Sequence, residues 1–355
     1  MPPRTLMGSP EGGLSLWASF PEGTEISELF IAGSPRRAQY SRRWFMAEAI
    51  EVTGGDYEHT LGVAGVHDGI DIRYVTAALR DVFLRMLTER CYEACEFSLS
   101  NYLMLKDRGA DWLHAIPVFP YRAFRHSTLY VRKHSPLSEP VDLCGKRVGV
   151  PDFSMTAAVW TRGILADQYG VQWQDLQWVV SGKQRFTTLP GVTLEATNGD
   201  LEDLLIEGKI DALLTPQTAD CRRPAGERKL RSLIADAQEA EETYLDTFGI
   251  YPINHVVVIR NDSLHRLPGL PRVLFNAYEQ AKTRAYARQL GTTLVPWGAR
   301  HWKKMFDRFG GDPLPYGLNE LNRKVVGTLA RFLHEQKLIE RQPDLDPLFI
   351  VPRGS

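Results

Sequence analysis

The chain has 355 residues, 43% of them hydrophobic and 24% charged, which suits a globular protein with two separate cores rather than a disordered or fibrous one. Its formal net charge of −1 lacks the basic excess that a nucleic-acid or anionic-membrane surface needs. No apolar run approaches the roughly 20 residues that span a bilayer, so the expected partner is a small molecule rather than nucleic acid or a membrane.

Residues 1–48 differ from the rest. Gly, Pro and Ser punctuate short apolar pieces at 14–17 and 29–32, followed by Arg36-Arg37 and Arg42-Arg43. They read as an N-terminal extension packed on the body or on a second subunit. Residues 1–19 lack the apolar h-region of a secretory signal, so the expected location is cytoplasmic. Cys91, Cys95, Cys144 and Cys221 show no zinc-type spacing beyond one C-x3-C and are expected as reduced thiols. The closing Val-Pro-Arg-Gly-Ser has the form of a protease-recognition tail, and 346–355 is set aside as a tail.

From position 50 the rhythm becomes strand, turn, helix. Strands are predicted at 50–53, 70–75, 94–97, 115–119 and 128–131. Helical spacing runs over 77–88 through Leu79, Val82, Phe83, Met86 and Leu87, and Ser98-Leu-Ser-Asn101 caps a helix over 102–108. A second unit opens on Leu143-Cys-Gly-Lys-Arg-Val-Gly-Val-Pro151, a turn and a strand. Ser154-Met-Thr156 then starts an apolar helix through Ala157, Val159, Trp160, Ile164 and Leu165. Strands at 176–180 and 210–214 flank a helix at 201–208. The β-branched run 256–259 reads as a buried strand with its partners in the first unit. Helices at 271–290, 299–308 and 320–336 follow, the last striped by Leu321, Val325, Leu329 and Phe332. This alternation implies an α/β protein with mostly parallel sheets, whose ligands sit at strand carboxyl ends beside helix N-termini.

The unusual polar residues fall at such strand ends. Arg122, Arg125 and His126 share one loop among Phe119, Tyr121 and Phe124. A guanidinium matches a carboxylate with two parallel hydrogen bonds, so this loop is either a carboxylate clamp or a solvated basic turn. Ser154 and Thr156 can cap their helix or leave its first amides to an anion. His255 opens an apolar strand, and Asp56 follows two glycines, where it serves as readily in a turn as in chemistry. No P-loop, G-x-G-x-x-G, G-x-S-x-G or H-E-x-x-H pattern is present.

Several segments, taken in order, resemble the 4,5-dihydroxyphthalate decarboxylase family. They are Gly54-Gly-Asp-Tyr57, Phe97-Ser-Leu-Ser-Asn-Tyr-Leu103, Ala115-Ile-Pro-Val-Phe-Pro-Tyr-Arg-Ala-Phe-Arg-His-Ser127 and Gly145-Lys-Arg-Val-Gly-Val-Pro151. Met155-Thr-Ala-Ala-Val-Trp160, Ile210-Asp-Ala-Leu-Leu-Thr-Pro216, Gly249-Ile-Tyr-Pro-Ile-Asn-His255, Pro315-Tyr-Gly-Leu318 and Asn322-Arg-Lys324 continue the series over residues 50–340, with a poor match at 222–242.

The resemblance implies a two-lobed α/β fold of the type II periplasmic-binding-protein kind, with mixed, mostly parallel sheets and a ligand cleft between the lobes. Lobe one would comprise 49–140 and 250–345 and lobe two 141–249, with crossings near 132–145 and 240–255. It also implies cofactor-independent decarboxylation of 4,5-dihydroxyphthalate, an aromatic dicarboxylate, to 3,4-dihydroxybenzoate (protocatechuate) and CO2, as in phthalate degradation. The chemistry would be ring protonation at the carboxylated carbon, assisted by the para hydroxyl. His255 would donate to the ring, and His126 or Asp56 would contact or deprotonate the phenol. Arg122 and Arg125 would hold carboxylates, Ser154 and Thr156 would close from lobe two, and Ser98, Ser100, Tyr57 and Tyr251 would line the substrate.

No metal is expected, the alternative being a site of Asp56, His126 and His255. A homo-oligomer is expected. The competing readings are a solute-binding protein for a ring carboxylate, or another lyase or dehydratase of this fold.

Overall fold

The computed structural model describes residues 48–352. The expected extension lies outside them except for Glu48, and so do residues 353–355.

The first segment carries β1 (Glu48–Gly54), β2 (Gly65–His67), β3 (Ile70–Thr76), α1 (Leu79–Thr88), β4 (Ala94–Ser98), α2 (Leu99–Asp107) and β5 (Leu113–Ile116). The second carries β6 (Leu129–Arg132), β7 (Arg147–Val150), α3 (Thr156–Tyr169), β8 (Gln177–Ser181), β9 (Leu194–Thr197), α4 (Leu201–Ile206), β10 (Ala212–Leu214), β11 (Leu230–Ser232) and α5 (Ala237–Phe248). The chain then returns through β12 (His255–Arg260), α6 (Asn261–Arg266), α7 (Leu270–Leu290), α8 (Gly298–Arg308) and α9 (Glu320–Glu335).

Two six-stranded sheets result, ordered β2-β3-β1-β4-β12-β5 and β11-β6-β10-β7-β8-β9. Both are mostly parallel, and each takes in one antiparallel strand from a crossing: β12 pairs antiparallel with both β4 and β5, and β6 with both β10 and β11, while the short edge strand β2 also runs antiparallel to β3. The two-lobed α/β expectation holds. The sheets are mixed chiefly because each lobe takes in a strand that arrives from the other.

β4 and β12 are well buried: every residue of β4 and Val256–Ile259 of β12 is buried. A strand covered on both faces loses the period-two polar alternation, which is why 256–259 reads as a continuous apolar run and 94–97 as one broken only by Glu96. β2, β9 and β11 are short and mostly exposed or half-exposed, and they carry no comparable pattern.

Three expectations need correction. The strand at 129–132 pairs with β10 and β11, so it belongs to the second sheet and not to a first lobe extending to 140. The chain therefore crosses between β5 and β6, over 117–128, and returns just before β12, over 249–254. These two crossings pair with each other, through an antiparallel bridge of Arg122 with Ile253 and an Ala123 N–H to Pro252 O bond of 3.1 Å. Nor are residues 346–352 a free tail. Leu348 and Phe349 are buried, the Tyr102 hydroxyl donates to Leu348 O, and Ile350 N–H donates to Ala115 O at 2.8 Å.

Behind the cleft, α9 packs along α3 and α2 and joins the lobes. Val325, Leu329 and Phe332 form its buried stripe, while Leu321 at its start is 41% exposed. Gly163 lets the two helices touch: a Cβ there would lie 2.1 Å from the Phe332 ring. Phe332 is fully buried, so the ring has little room to retreat. Gly163→Ala is expected to destabilise by about 1–3 kcal/mol through overpacking, read as a lower urea midpoint with an unchanged slope. An unchanged midpoint would mean that the α3–α9 contact is looser than described.

Candidate active site

The two crossings and the ends of β1 and β4 converge on a cleft of about 650 Å³. Behind its lining residues Tyr57 and His255 sits Glu96, in the middle of β4, with no exposed surface. A buried carboxylate is tolerable only when its oxygens are satisfied. Glu96 Oε2 accepts from Gly55 N–H at 2.9 Å, and Oε1 accepts from the Tyr57 hydroxyl at 3.0 Å and His255 Nδ1 at 2.5 Å. Burial, with the Glu96 charge beside it, pushes the Tyr57 hydroxyl far above its usual range, so Tyr57 is a donor and not a base.

Gly54 and Gly55 make this approach possible, because a Cβ at Gly54 would lie 2.3 Å from the Tyr74 oxygen and one at Gly55 would lie 2.4 Å from the Tyr57 ring. His255 is the first residue of β12, opposite Ser98 in the register with β4. Its ring lies against Tyr121 (centroids 4.9 Å apart, 24° between planes) and edge-on to Phe83 at 5.0 Å. Tyr121 stacks in turn on Tyr57, and Tyr57 on His59. With Nδ1 held by a carboxylate, the imidazole is fixed in one tautomer and Nε2 is left for chemistry in the cleft. The carboxylate also stabilises the imidazolium when Nε2 carries a proton.

Arg125 supplies the opposite charge. It is 4% exposed and none of its neighbours is a bridging carboxylate; Nε and Nη2 are held by Asn254 Oδ1, and the guanidinium lies 5.6 Å above the Tyr121 ring. Burial lowers its pKa. The charge of Glu241 acts on it from a distance, but no carboxylate among the described residues is in contact with it, and a desolvated cation so placed at the wall of a cleft favours an incoming anion.

Lobe two contributes the start of α3. Thr156 Oγ1 lies 2.8 Å from Ser98 Oγ and 2.9 Å from Ser100 Oγ, and accepts from Ser100 N–H at 3.1 Å. This hydroxyl cluster pins the lobes together at the cleft floor. The expected side-chain cap is absent: Met155 occupies the N-cap position, and Ser154 Oγ donates to Asp152 Oδ1 instead. α2 likewise begins at Leu99, so Leu99-Ser-Asn101 lies inside the helix and not before it.

Of the residues singled out in the sequence, Tyr57, Ser98, Arg125, Thr156 and His255 line the cleft. Six do not. Arg122 points away and is spent on the framework, donating to Tyr251 O, Pro315 O and Asn322 Oδ1. Burial lowers its pKa to about 10. Tyr251 donates back to Arg122 O at 3.2 Å and packs on Phe124 and Phe309. Ser100 and Ser154 are buried in the inter-lobe contact. Asp56 is exposed, outside the cleft lining.

His126 is sealed inside lobe two. Its Nε2 pairs with Gln168 Oε1 at 2.7 Å, Tyr244 lies edge-on, and Nδ1 lies 3.9 Å from Glu241 Oε1. Asp56, His126 and His255 are thus not brought together, and among the described residues no three His, Cys, Asp or Glu side chains gather as metal ligands. Glu96, Tyr121 and Asn254 escaped the sequence reading. An ionisable residue inside the apolar run 94–97 was the available signal for Glu96.

No protein-family model matches the chain. Over 296 residues it is 31% identical to the 4,5-dihydroxyphthalate decarboxylase of Comamonas testosteroni, covering 79% of this chain and 89% of that protein. The chain belongs to the 4,5-dihydroxyphthalate decarboxylase family. A second relative with that name, from Pseudomonas putida, is 32% identical over 183 residues, 49% of this chain and 70% of that protein.

Among solved structures, the periplasmic aliphatic sulphonate binding protein SsuA of Escherichia coli superposes with a TM-score of 0.53 at 15% identity, over 85% of this chain and 97% of that one. The alkanesulfonate-binding protein SsuA of Xanthomonas axonopodis pv. citri gives 0.50 at 14%, over 86% and 98%. These likenesses bear out the periplasmic-binding-protein-like fold, and they speak to fold alone. No helix among the described residues is long and apolar enough to cross a membrane.

Two predictions follow from the displaced residues. Arg122→Lys keeps the charge but loses the planar fork, and is expected to cost about 1–3 kcal/mol of stability with kcat/KM within about threefold of wild type. For His126, burial holds the pKa below the ordinary 6.5. The folded protein then binds fewer protons than the unfolded chain, so the stability His126 contributes is full above about pH 6.5 and is lost as pH falls toward the folded pKa. The difference in thermal midpoint between wild type and His126→Asn should shrink from pH 8 to pH 5; a constant difference would place a solvated imidazole there.

Proposed function

We propose that this chain is a decarboxylase that converts 4,5-dihydroxyphthalate into 3,4-dihydroxybenzoate and CO2. The observation that carries this reading is the pairing, in one aromatic-walled cleft, of a carboxylate-held imidazole (Glu96–His255) with a buried guanidinium that contacts no carboxylate among the described residues (Arg125). The relatives bearing that enzyme's name support it.

The reaction needs those parts. Direct loss of CO2 from an aromatic ring leaves an aryl anion orthogonal to the π system. A hydroxyl para to the carboxylate opens a lower path: as it gives up its proton to water in the open cleft, the carboxylated carbon accepts one and becomes tetrahedral, and the oxygen becomes the carbonyl of a dienone. Breaking the bond to CO2 then returns its electron pair to the ring and to the oxygen, which recovers its proton. Net uptake is one proton, at the ring carbon.

In this site the imidazolium of His255 gives that proton from Nε2, and Glu96 holds the ring in place and stabilises the cationic form. Arg125 holds a carboxylate and lowers the cost of negative charge on the substrate. Tyr57, Phe83 and Tyr121 offer flat apolar walls to the ring. The para oxygen itself takes up the electron pair, so the residues need supply only proton transfer and charge.

The test is incubation of the purified protein with 4,5-dihydroxyphthalate, following CO2 and 3,4-dihydroxybenzoate. His255→Ala and Glu96→Gln are each expected to lower kcat by about 10²–10⁴-fold, and turnover should slow in deuterium oxide if ring protonation limits the rate. Tight binding of the dicarboxylate without turnover would make the protein a receptor instead. Full activity in folded His255→Ala would move the acid elsewhere.

A further inference from the structure

The cleft is electrically unbalanced in a way that Arg125 alone does not explain. Four cations line it, Arg80, Arg125, Lys183 and Arg185, against one lining carboxylate, Asp152. The chain as a whole is nearly neutral, with a net charge of −1, so this excess is local. Arg185 is committed: it lies 3.4 Å from Asp152 and donates to Asn101 Oδ1 at 3.3 Å. Arg80 and Lys183 are not: neither side chain has a hydrogen bond, ion pair or ring contact among the described residues.

The two come from opposite sides. Arg80 is in the first turn of α1, in lobe one, and Lys183 is in the loop after β8, in lobe two. Arg80 and Lys183 line the same cleft, and Lys183 shares its loop with Arg185, whose pKa burial lowers, Asp152 raises and the Arg80 charge lowers, so Arg80 lies within electrostatic reach of that loop. Cations that face each other over a gap repel until an anion sits between them.

We propose that Arg80 and Lys183 form a second carboxylate subsite at the cleft mouth, completed only when the lobes meet over a ligand carrying two negative charges. This rests on the reading of the cleft as a ring-dicarboxylate site and deepens it. Arg125, at the hinge, holds one carboxylate, and the mouth pair holds the neighbouring one. Selectivity for a dicarboxylate over its monocarboxylate product then resides in the mouth pair, and loss of CO2 removes one of the two charges that bridge the lobes, which favours product release.

The test compares wild type, Arg80→Gln, Lys183→Gln and the double variant. It measures kinetics with 4,5-dihydroxyphthalate and, by calorimetry, Kd for phthalate and for 3,4-dihydroxybenzoate. Both residues are exposed, so the variants should fold, and Lys209→Gln, outside the cleft, controls for bulk charge. The double variant should raise KM for the dicarboxylate and Kd for phthalate by about 10- to 100-fold, with kcat and the Kd of 3,4-dihydroxybenzoate moving less than about threefold. No change, equal weakening of mono- and dicarboxylate, or an equal effect from Lys209→Gln would each overturn the subsite. Selective loss of phthalate binding in a protein that does not decarboxylate would uphold the subsite and overturn the proposed reaction. Failure of the wild type to bind either dicarboxylate would overturn both.

Discussion

A carboxylate with no exposed surface, placed in the middle of a core strand, constrains everything around it. Removing one partner from a buried, hydrogen-bonded charge costs about 3–5 kcal/mol, so the groups that satisfy Glu96 are not free to drift. Those groups come from separate stretches of chain: the Gly55 amide and Tyr57 hydroxyl after β1, and the His255 imidazole at the start of β12. Glu96 therefore registers the return crossing against the first sheet. The same bonds that make the carboxylate tolerable also fix the tautomer and aim of the imidazole. Stability and chemistry are served by one network.

The crossings extend that constraint to lobe two. In each sheet the strand that arrives from the other lobe pairs antiparallel with both of its neighbours, and the crossings before β6 and β12 are bonded to each other. Arg125 and Tyr121 ride on the outgoing crossing, Asn254 and His255 on the returning one. Asn254 ties the pair together: its Oδ1 holds Arg125 and its amide donates to Ala123 O and Pro252 O. The cationic and imidazole halves of the site thus sit on the one part of a two-lobed molecule that belongs to both lobes.

Much of this was legible in the sequence, and the misses have physical causes. Long apolar runs such as 256–259 declared themselves because burial on both faces leaves no polar alternation, and the helices at 270–290 and 320–335 did so by their spacing. The edge strands β9 and β11 bury little, so nothing in composition marks them. The arginines at 122 and 125 look equivalent in sequence, three residues apart in one loop. Which one faces the cleft depends on Asn322 and Pro315, about 200 residues away, which take up Arg122. His126 beside them is drawn into lobe two by Gln168 and Tyr244. Local sequence shows that a loop is chemically rich, and only long-range pairing decides which of its side chains are spent on the framework.

In this cleft the start of α3 and the buried guanidinium of Arg125 meet across a gap, an arrangement suited to an anion. Turning binding into proton transfer requires one addition: a titratable group held within a few tenths of an ångström. Lobe tips are a poor place for it, since their positions change whenever the cleft opens. The seam of β12 with β4 is better, because its residues are buried and bonded in register. Placing Glu96–His255 on that seam and the uncommitted cations Arg80 and Lys183 at the mouth separates the two tasks. Chemistry stays on the rigid element, and charge recognition sits where closure can complete it.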